Sequence, residues 1–390
     1  MLNDRRSFLK SAGSGLLILE PHIAFGSQAN SALTIGVVGC GGRGNYVGGM
    51  FQEFAGARIT AIHDPFADRL DATKAKLHLS APRTYTGLDG YLELCHSDVD
   101  AVVITSPPYW HHIQARASIA AGKHTYVAKP IAVDVNGCLD FTAIGRRAAV
   151  QKLNLLVDFQ TRSQPAFQQA AERVHRGDIG ELVLGHIYYH AGRLKPKNRT
   201  GLTPAQNRLR NWVFDKAISG DIIVEQNIHV IDVANWYTNA HPTRAVGTGG
   251  RKARVDVGDC WDHFLVQYDY PDRVQVDFSS AQFTKGYSDL CMRFYGSAGT
   301  VDSHYRGDVK ITGDHPWEGE KANTMHVGTS TNVKNFAAAV SAGEVLNNAA
   351  VSAESNLTAI LGRMAAYSRQ PVTWDEMMAS NETLDAHLAL

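Results

Sequence analysis

The chain has 390 residues, of which 44% are hydrophobic and 19% charged, with 38 basic side chains against 38 acidic ones. That length accommodates two or three domains at roughly 150 residues each, the apolar share excludes disorder over most of the chain, and a formal net charge of zero excludes a molecule-wide cationic field for nucleic acid. Apolar runs fall short of the roughly 18 residues that span a bilayer, and five scattered cysteines (Cys40, Cys95, Cys138, Cys260, Cys291) fit neither a disulfide framework nor a zinc cage.

In chain order, Asp4-Arg5-Arg6-Ser7-Phe8-Leu9-Lys10 precedes a mildly apolar stretch, Ser11 to Leu19. A twin arginine in that setting resembles a Tat export signal over residues 1–30, with Ala24-Phe25-Gly26 as a small-x-small cleavage site. The expected location is the periplasm or another exported compartment. Tat carries folded proteins, so a cofactor can be inserted before export.

Leu33 to Val38 reads as a buried β-branched strand running into Gly39-Cys40-Gly41-Gly42-Arg43-Gly44, a GxGxxG match followed by a helix through Phe54. Gly39 allows the tight turn, Gly41 lets backbone approach a pyrophosphate, and Gly44 lets helix and strand pack closely. Arg58 to His63 reads as the second strand and ends at Asp64, twenty residues beyond Gly44. An acidic side chain there accepts from ribose hydroxyls and repels a 2′-phosphate, so NAD is favoured over NADP.

The alternation continues. A short helix capped by Asp89, a strand Ala101 to Thr105, a helix to Ala121 and a strand Thr125 to Val127 follow. A helix from about Val135 to Val150 and a strand Leu155 to Phe159 complete a doubly wound Rossmann half over residues 31–157. Thr105, Pro107, His111 and Lys129 fall at strand ends, where ligands of open parallel sheets sit.

These residues resemble the Gfo/Idh/MocA oxidoreductases. The marks are the N-terminal GxGxxG, the Pro107 to His111 segment, Gly122-Lys123-His124 leading to Lys129-Pro130, and a later helix bearing His229. The family's usual Glu-Lys-Pro is here Ala128-Lys129-Pro130. The resemblance implies a second domain with an open, mostly antiparallel sheet, a dimer or tetramer, and Lys129 and His229 meeting over a nicotinamide.

Residues 158–390 change pattern. A helix Pro165 to Arg176 ends at Gly177, and Glu181 to Ala191, Trp261 to Tyr270, Arg273 to Phe283, Leu290 to Tyr295 and Gly299 to Asp302 read as strands. Residues 194–212 read as one long polar loop, a length that is usually functional or mobile. His304 and Tyr305 read as a surface turn. The apolar helix Ala353 to Tyr367 is a packing helix that can return to the Rossmann half.

Between them, Glu225, His229 and Asp232 lie at i, i+4 and i+7, on one helical face opposite Val230, Val233, Ala234 and Tyr237. A histidine between two carboxylates is expected to have a raised pKa, as suits a proton-transfer group. A histidine in a buried structural network is the alternative. Glu225 and His229 lack a third metal ligand of fitting spacing, so no metal is expected. Gln160, Arg162, Trp212 and Asp232 are candidate substrate contacts, with Arg162 equally suited to an internal salt bridge. Tyr189, Trp212 and Trp261 are candidates for a sugar-stacking platform.

The expected reaction is hydride transfer between tightly held NAD and a secondary alcohol of a sugar or polyol. His229 acts as base, assisted by Glu225 or Asp232, and Lys129 stabilises the alkoxide. The alternatives are an NAD-dependent glycoside hydrolase working through transient C3 oxidation, with Tyr188 or Tyr189 as an added base, and a non-catalytic sugar- or NAD-binding protein.

Overall fold

β1 (Thr34–Val38), β2 (Arg58–His63), β3 (Arg83–Tyr85), β4 (Ala101–Ile104), β5 (His124–Ala128) and β6 (Leu155–Asp158) form a six-stranded sheet ordered β3-β2-β1-β4-β5-β6. Every neighbouring pair is parallel. The central strands are short, apolar and buried on both faces, as a sheet clad by helices on both sides requires. This is the doubly wound sheet read from the sequence. Its strand order reverses between β1 and β4, so the ligand crevice opens above their carboxyl ends. The structure is a computed structural model describing residues 32–390, so the Tat-like reading of residues 1–30 falls outside the described residues.

The second sheet has nine strands and is mostly antiparallel. Its body is β7 (Leu182–His190), β8 (Arg244–Gly250), β9 (His263–Asp269), β10 (Gln275–Ala281), β11 (Asp289–Gly296) and β12 (Gly299–His304), in the order β12-β11-β7-β10-β9-β8. Only β7 and β10 run parallel among these neighbours. Alternation sets the faces: Phe264, Val266 and Tyr268 of β9 are buried, while Leu265 and Gln267 point away from the core. Helices Pro165–Arg176, Ile228–Thr238 and Ala349–Ser368 cover the inner face. The first of these starts with Pro165 behind the Gln164 cap and stops at left-handed Gly177.

Two elements differ from the sequence reading. The long polar loop condenses at its end into a helix, Pro204–Arg210, through a Thr203–Gln206 capping box. A helix not read from the sequence, Thr324–Ala342, packs on the first Rossmann helix, Gly42–Ala55, where Phe336 meets Phe51 edge-on at 5.9 Å.

Residues 33–390 fold as one compact unit, and the long helix Ala349–Ser368 knits its halves together. Fully buried Asn356 accepts from the Ile131 amide at 3.0 Å and donates to the Ala132 carbonyl at 3.2 Å. Arg363 donates to the carbonyls of Val133 (2.7 Å) and Gly220 (2.9 Å). The turn after Lys129 is therefore held by a helix of the second half. Asn356→Ala strands two buried backbone groups at about 1–3 kcal/mol each. The urea midpoint is expected to fall with the m-value unchanged, and an unchanged midpoint would refute this tie.

Candidate functional site

The turn after β1 is built for an anion. Gly39 has φ +93°, and a Cβ on it would lie 2.6 Å from the Ser106 amide nitrogen. A Cβ on Gly44 would lie 2.0 Å from the Gly39 carbonyl oxygen, so only glycine lets helix and strand approach this closely. A Cβ on Gly41 or Gly42 would meet nothing within 4 Å. Their backbone instead faces an open groove at a helix N-terminus that has no side-chain cap. Positive helix-dipole charge and unsatisfied N–H groups thus face space that a pyrophosphate can fill.

The same groove is lined by Asp64, Pro65, Thr105, Pro107, Lys197 and Trp212. Asp64 closes β2, accepts from the amides of Cys40 (2.9 Å) and Phe66 (3.0 Å), and lies 3.7 Å from Arg69. Burial raises its pKa, while Arg69 and those amides oppose the rise. The Cys40 amide is therefore engaged, and burial together with Asp64 pushes its thiol up to about 12. Thr105 Oγ1 donates to the Gly39 carbonyl at 2.8 Å and fixes the turn.

Several candidates sit elsewhere than the sequence reading placed them. His111 is wedged between the carbonyls of Pro130 (2.6 Å) and Ser106 (2.7 Å), and burial lowers its pKa to about 4. It braces two loops rather than touching the groove. Arg43 turns toward an ion pair with Asp158 at the end of β6. Arg162 grips Asp232, Nε to Oδ1 at 2.9 Å, and Ser355 also donates to that carboxylate. Both Arg162 and Asp232 are thereby consumed internally. Trp212 faces the dinucleotide groove, while Trp261 stacks on Tyr367 at 4.0 Å within the core.

The Glu225–His229–Asp232 stretch is two helices, not one. Ile222–Glu225 is a separate turn, and Ile228–Thr238 follows after Gln226 and Asn227. Asp221 caps the first turn from a left-handed φ of +75°, held by its own bonds to the Ile222 amide, the Trp261 amide and the Tyr367 hydroxyl. Such a conformation persists only where surrounding bonds over-determine it. The break turns Glu225 toward Lys129, whose Nζ donates to the Glu225 carbonyl oxygen and lies 3.4 Å from its Oε1.

His229 therefore does not sit between two carboxylates. Burial, Lys129 and Arg43 lower its pKa well below the ordinary 6.5, reversing the expected rise. Its Nδ1 is buried and has no protein partner. Its ring lies 5.2 Å from that of Tyr305, which is buried and not a surface turn. Tyr305 donates to Gln160 Oε1 at 3.2 Å, and Gln160 donates to Asp158 at 3.1 Å. The sequence reading does not single out Asp158, which lies in no local motif, and it takes Tyr305 only as part of a surface turn. Burial lowers the Lys129 pKa and Glu225 opposes the fall.

Among the described residues one further cluster, Cys291, Asp302 and His304, brings possible metal ligands together. It lies on the second sheet, away from Lys129. His304 is bonded to Asp289 and Asp302, which raise its pKa to about 9.

Comparison with known proteins agrees with this architecture. Residues 33–155 match the oxidoreductase family with an NAD-binding Rossmann fold, and residues 167–302 match the GFO/IDH/MocA C-terminal domain. The chain belongs to the Gfo/Idh/MocA oxidoreductase family, and its first half is an NAD-binding domain. It is 27% identical over 206 residues to an uncharacterized oxidoreductase of Synechocystis sp., covering 52% of this chain and 51% of that protein. It is 26% identical to inositol 2-dehydrogenase 2 of Saccharopolyspora erythraea, covering 70% of this chain and 73% of that one. A glycosyl hydrolase family 109 protein of Shewanella sp. is 28% identical over 66% of this chain and 57% of its own length. The alignment thus spans about half of two of these relatives. The fold is that of scyllo-inositol dehydrogenase from Lactobacillus casei with bound NAD(H) and scyllo-inositol, at TM-score 0.71 and 18% identity over 88% of this chain and 100% of that one.

Because nothing stands within 4 Å of a Gly41 Cβ, Gly41→Val is expected to leave thermal unfolding unchanged. It should weaken NAD binding by at least about tenfold, equivalent to about 1.4 kcal/mol. Unaltered NAD affinity by calorimetry would show that the groove is not the dinucleotide site.

Proposed function

We propose that the protein oxidises or reduces a secondary alcohol of a sugar or polyol, with NAD held in the Rossmann groove. The observation that supports this best is a buried histidine nitrogen without a protein partner, His229 Nδ1, in the electrostatic neighbourhood of the Lys129 ammonium. A buried polar atom left open in this way is satisfied by a ligand hydroxyl. NAD, when bound, supplies the hydride acceptor or donor for the alcohol carbon.

The chain's own residues manage the proton. His229 is held neutral by burial and by the positive charges of Lys129 and Arg43, so it can accept the hydroxyl proton. Lys129 donates to the oxygen as negative charge develops on it. Glu225 keeps Lys129 charged and oriented from across the cleft. Near-neutral overall charge suits an uncharged substrate.

A second reading, hydrolysis of a glycoside through transient C3 oxidation, is favoured by the glycosyl hydrolase family 109 relatives. It needs a further base. Tyr188 is bonded to Asp289 on the outer sheet face, and Tyr189 feels Glu225 from within the molecule. Burial and Glu225 raise the Tyr189 pKa, which keeps it a donor and favours simple oxidoreduction. We further propose export through the twin-arginine segment. A dimer or tetramer formed through the outer sheet face is also proposed, supported by the exposure of Leu184 (42%) and Leu265 (55%) there.

Denaturing the purified protein is expected to release about one NAD per chain. Incubation with polyols and aryl glycosides then separates the readings: a keto product supports oxidoreduction, and free aglycone without net NADH supports hydrolysis. His229→Ala is expected to lower kcat by at least about 100-fold. As pH falls, activity should persist below 6.5, because the depressed His229 pKa delays its protonation. As pH rises, loss should begin below 10.5, where Lys129 sheds its proton early. An acid limb centred at 6.5 or above would contradict the assignment of His229 as base.

A further inference from the structure

The polar segment ahead of the Pro204–Arg210 helix lies over the Rossmann half rather than over the alcohol site. Arg199 and Arg210 both form ion pairs with Asp68, on the first turn of the Rossmann helix Ala67–Lys76. Arg210 is buried and its guanidinium lies 4.0 Å from the centre of the Phe66 ring. The segment's backbone is fixed by two asparagines: Asn211 Oδ1 accepts from the Lys197 amide at 2.7 Å, and Asn207 Oδ1 accepts from the Arg199 amide at 2.9 Å. It is a braced strap.

The strap brings one charge to the groove without a partner. Lys197 and Arg69 line the same groove as Gly41 and Gly42. Among the described residues no side chain accepts from Lys197 Nζ, and the nearest carboxylate to Arg69, Asp64, is 3.7 Å away, beyond hydrogen-bonding distance. Asp68, the carboxylate beside them, is already shared by Arg199 and Arg210. Two cations thus line a groove that a helix N-terminus also lines. Burial and Arg69 lower the Lys197 pKa, the sign expected of like charges brought together.

We infer that Lys197, carried by the second half of the chain, and Arg69, carried by the first, hold the dinucleotide pyrophosphate together with the glycine turn. The inference rests on the NAD site argued above and adds to it a phosphate ligand from outside the Rossmann domain. A pyrophosphate bears two negative charges, which the uncapped helix and these two cations complement. Adenosine carries no charge for these cations to complement, so charge on the strap would discriminate phosphate from nucleoside.

The test uses the full chain and three probes: NAD, ADP and adenosine. Lys197→Ala is expected to weaken NAD and ADP binding by about tenfold alike, to speed NAD release by a similar factor, and to leave adenosine unchanged. Lys197→Arg should restore most of the loss, and the difference between variant and parent should shrink in 1 M salt. Lys197→Met keeps the side chain's length without its charge, and thermal unfolding verifies that each variant is folded. Unchanged NAD affinity in both charge-removing variants overturns the inference. Equal weakening of adenosine overturns it as well, since Lys197 would then only shape the wall. A parent protein that binds neither NAD nor ADP overturns the cofactor reading and this inference together.

Discussion

The contact on which the cleft depends is the ion pair between Lys129 and Glu225. An ammonium beside a reacting carbon must be largely desolvated to be effective, and desolvation alone drives it toward the neutral form. The residue before this lysine is Ala128, so its chain neighbour supplies no carboxylate. The compensating carboxylate comes from the opposite half, on a four-residue turn that exists because Asp221 tolerates a left-handed φ under three hydrogen bonds. The carboxylate that opposes the desolvation of Lys129 is therefore in place only when the two halves are assembled. Asn356 and Arg363, which tie the lysine turn to the second half, serve the same charge balance from a distance.

Charge pairing also explains the state of His229. Arg43 is matched by Asp158, Lys129 by Glu225 and Arg162 by Asp232. The histidine receives no carboxylate and feels the nearest cations, so it is held neutral. Had Asp232 faced it, as helical spacing alone implies, it would be held protonated and unable to accept a proton. The internal salt bridge of Asp232 thus contributes to function by being turned away.

The Rossmann half was legible because its strands are short β-branched runs and its turn needs glycine for reasons visible in three residues, Gly39, Gly41 and Gly44. The helix before β7 was legible from Pro165 and Gly177. The partners of the site were not. Arg162 and Asp232 are 70 residues apart, and no local pattern links them. The break after Glu225 was hidden because Ile222 to Trp236 keeps helical apolar spacing throughout. Tyr305 followed a strand that had seemed to end early. The helix Thr324–Ala342 carries threonine, asparagine and glycine, which weaken the signal of its buried face. What sequence missed was long-range pairing, together with one helix break and one helix whose polar residues mask its buried face.

The same pairings connect the phosphate turn to the alcohol site. Arg43 lies on the first turn of the helix that faces the pyrophosphate, yet its guanidinium pairs with Asp158. Asp158 also accepts from Asn332 and Gln160, Gln160 accepts from Tyr305, and Tyr305 lies against the His229 ring. One continuous set of contacts therefore runs from the dinucleotide turn to the ring of His229. Asp158 is its junction, a buried carboxylate that accepts from Arg43, Gln160 and Asn332 together. Hydride transfer requires the nicotinamide carbon and the alcohol carbon to be held within a few tenths of an ångström of productive geometry. On the function proposed, a glycine turn and a histidine joined by one network set both sides of that distance together.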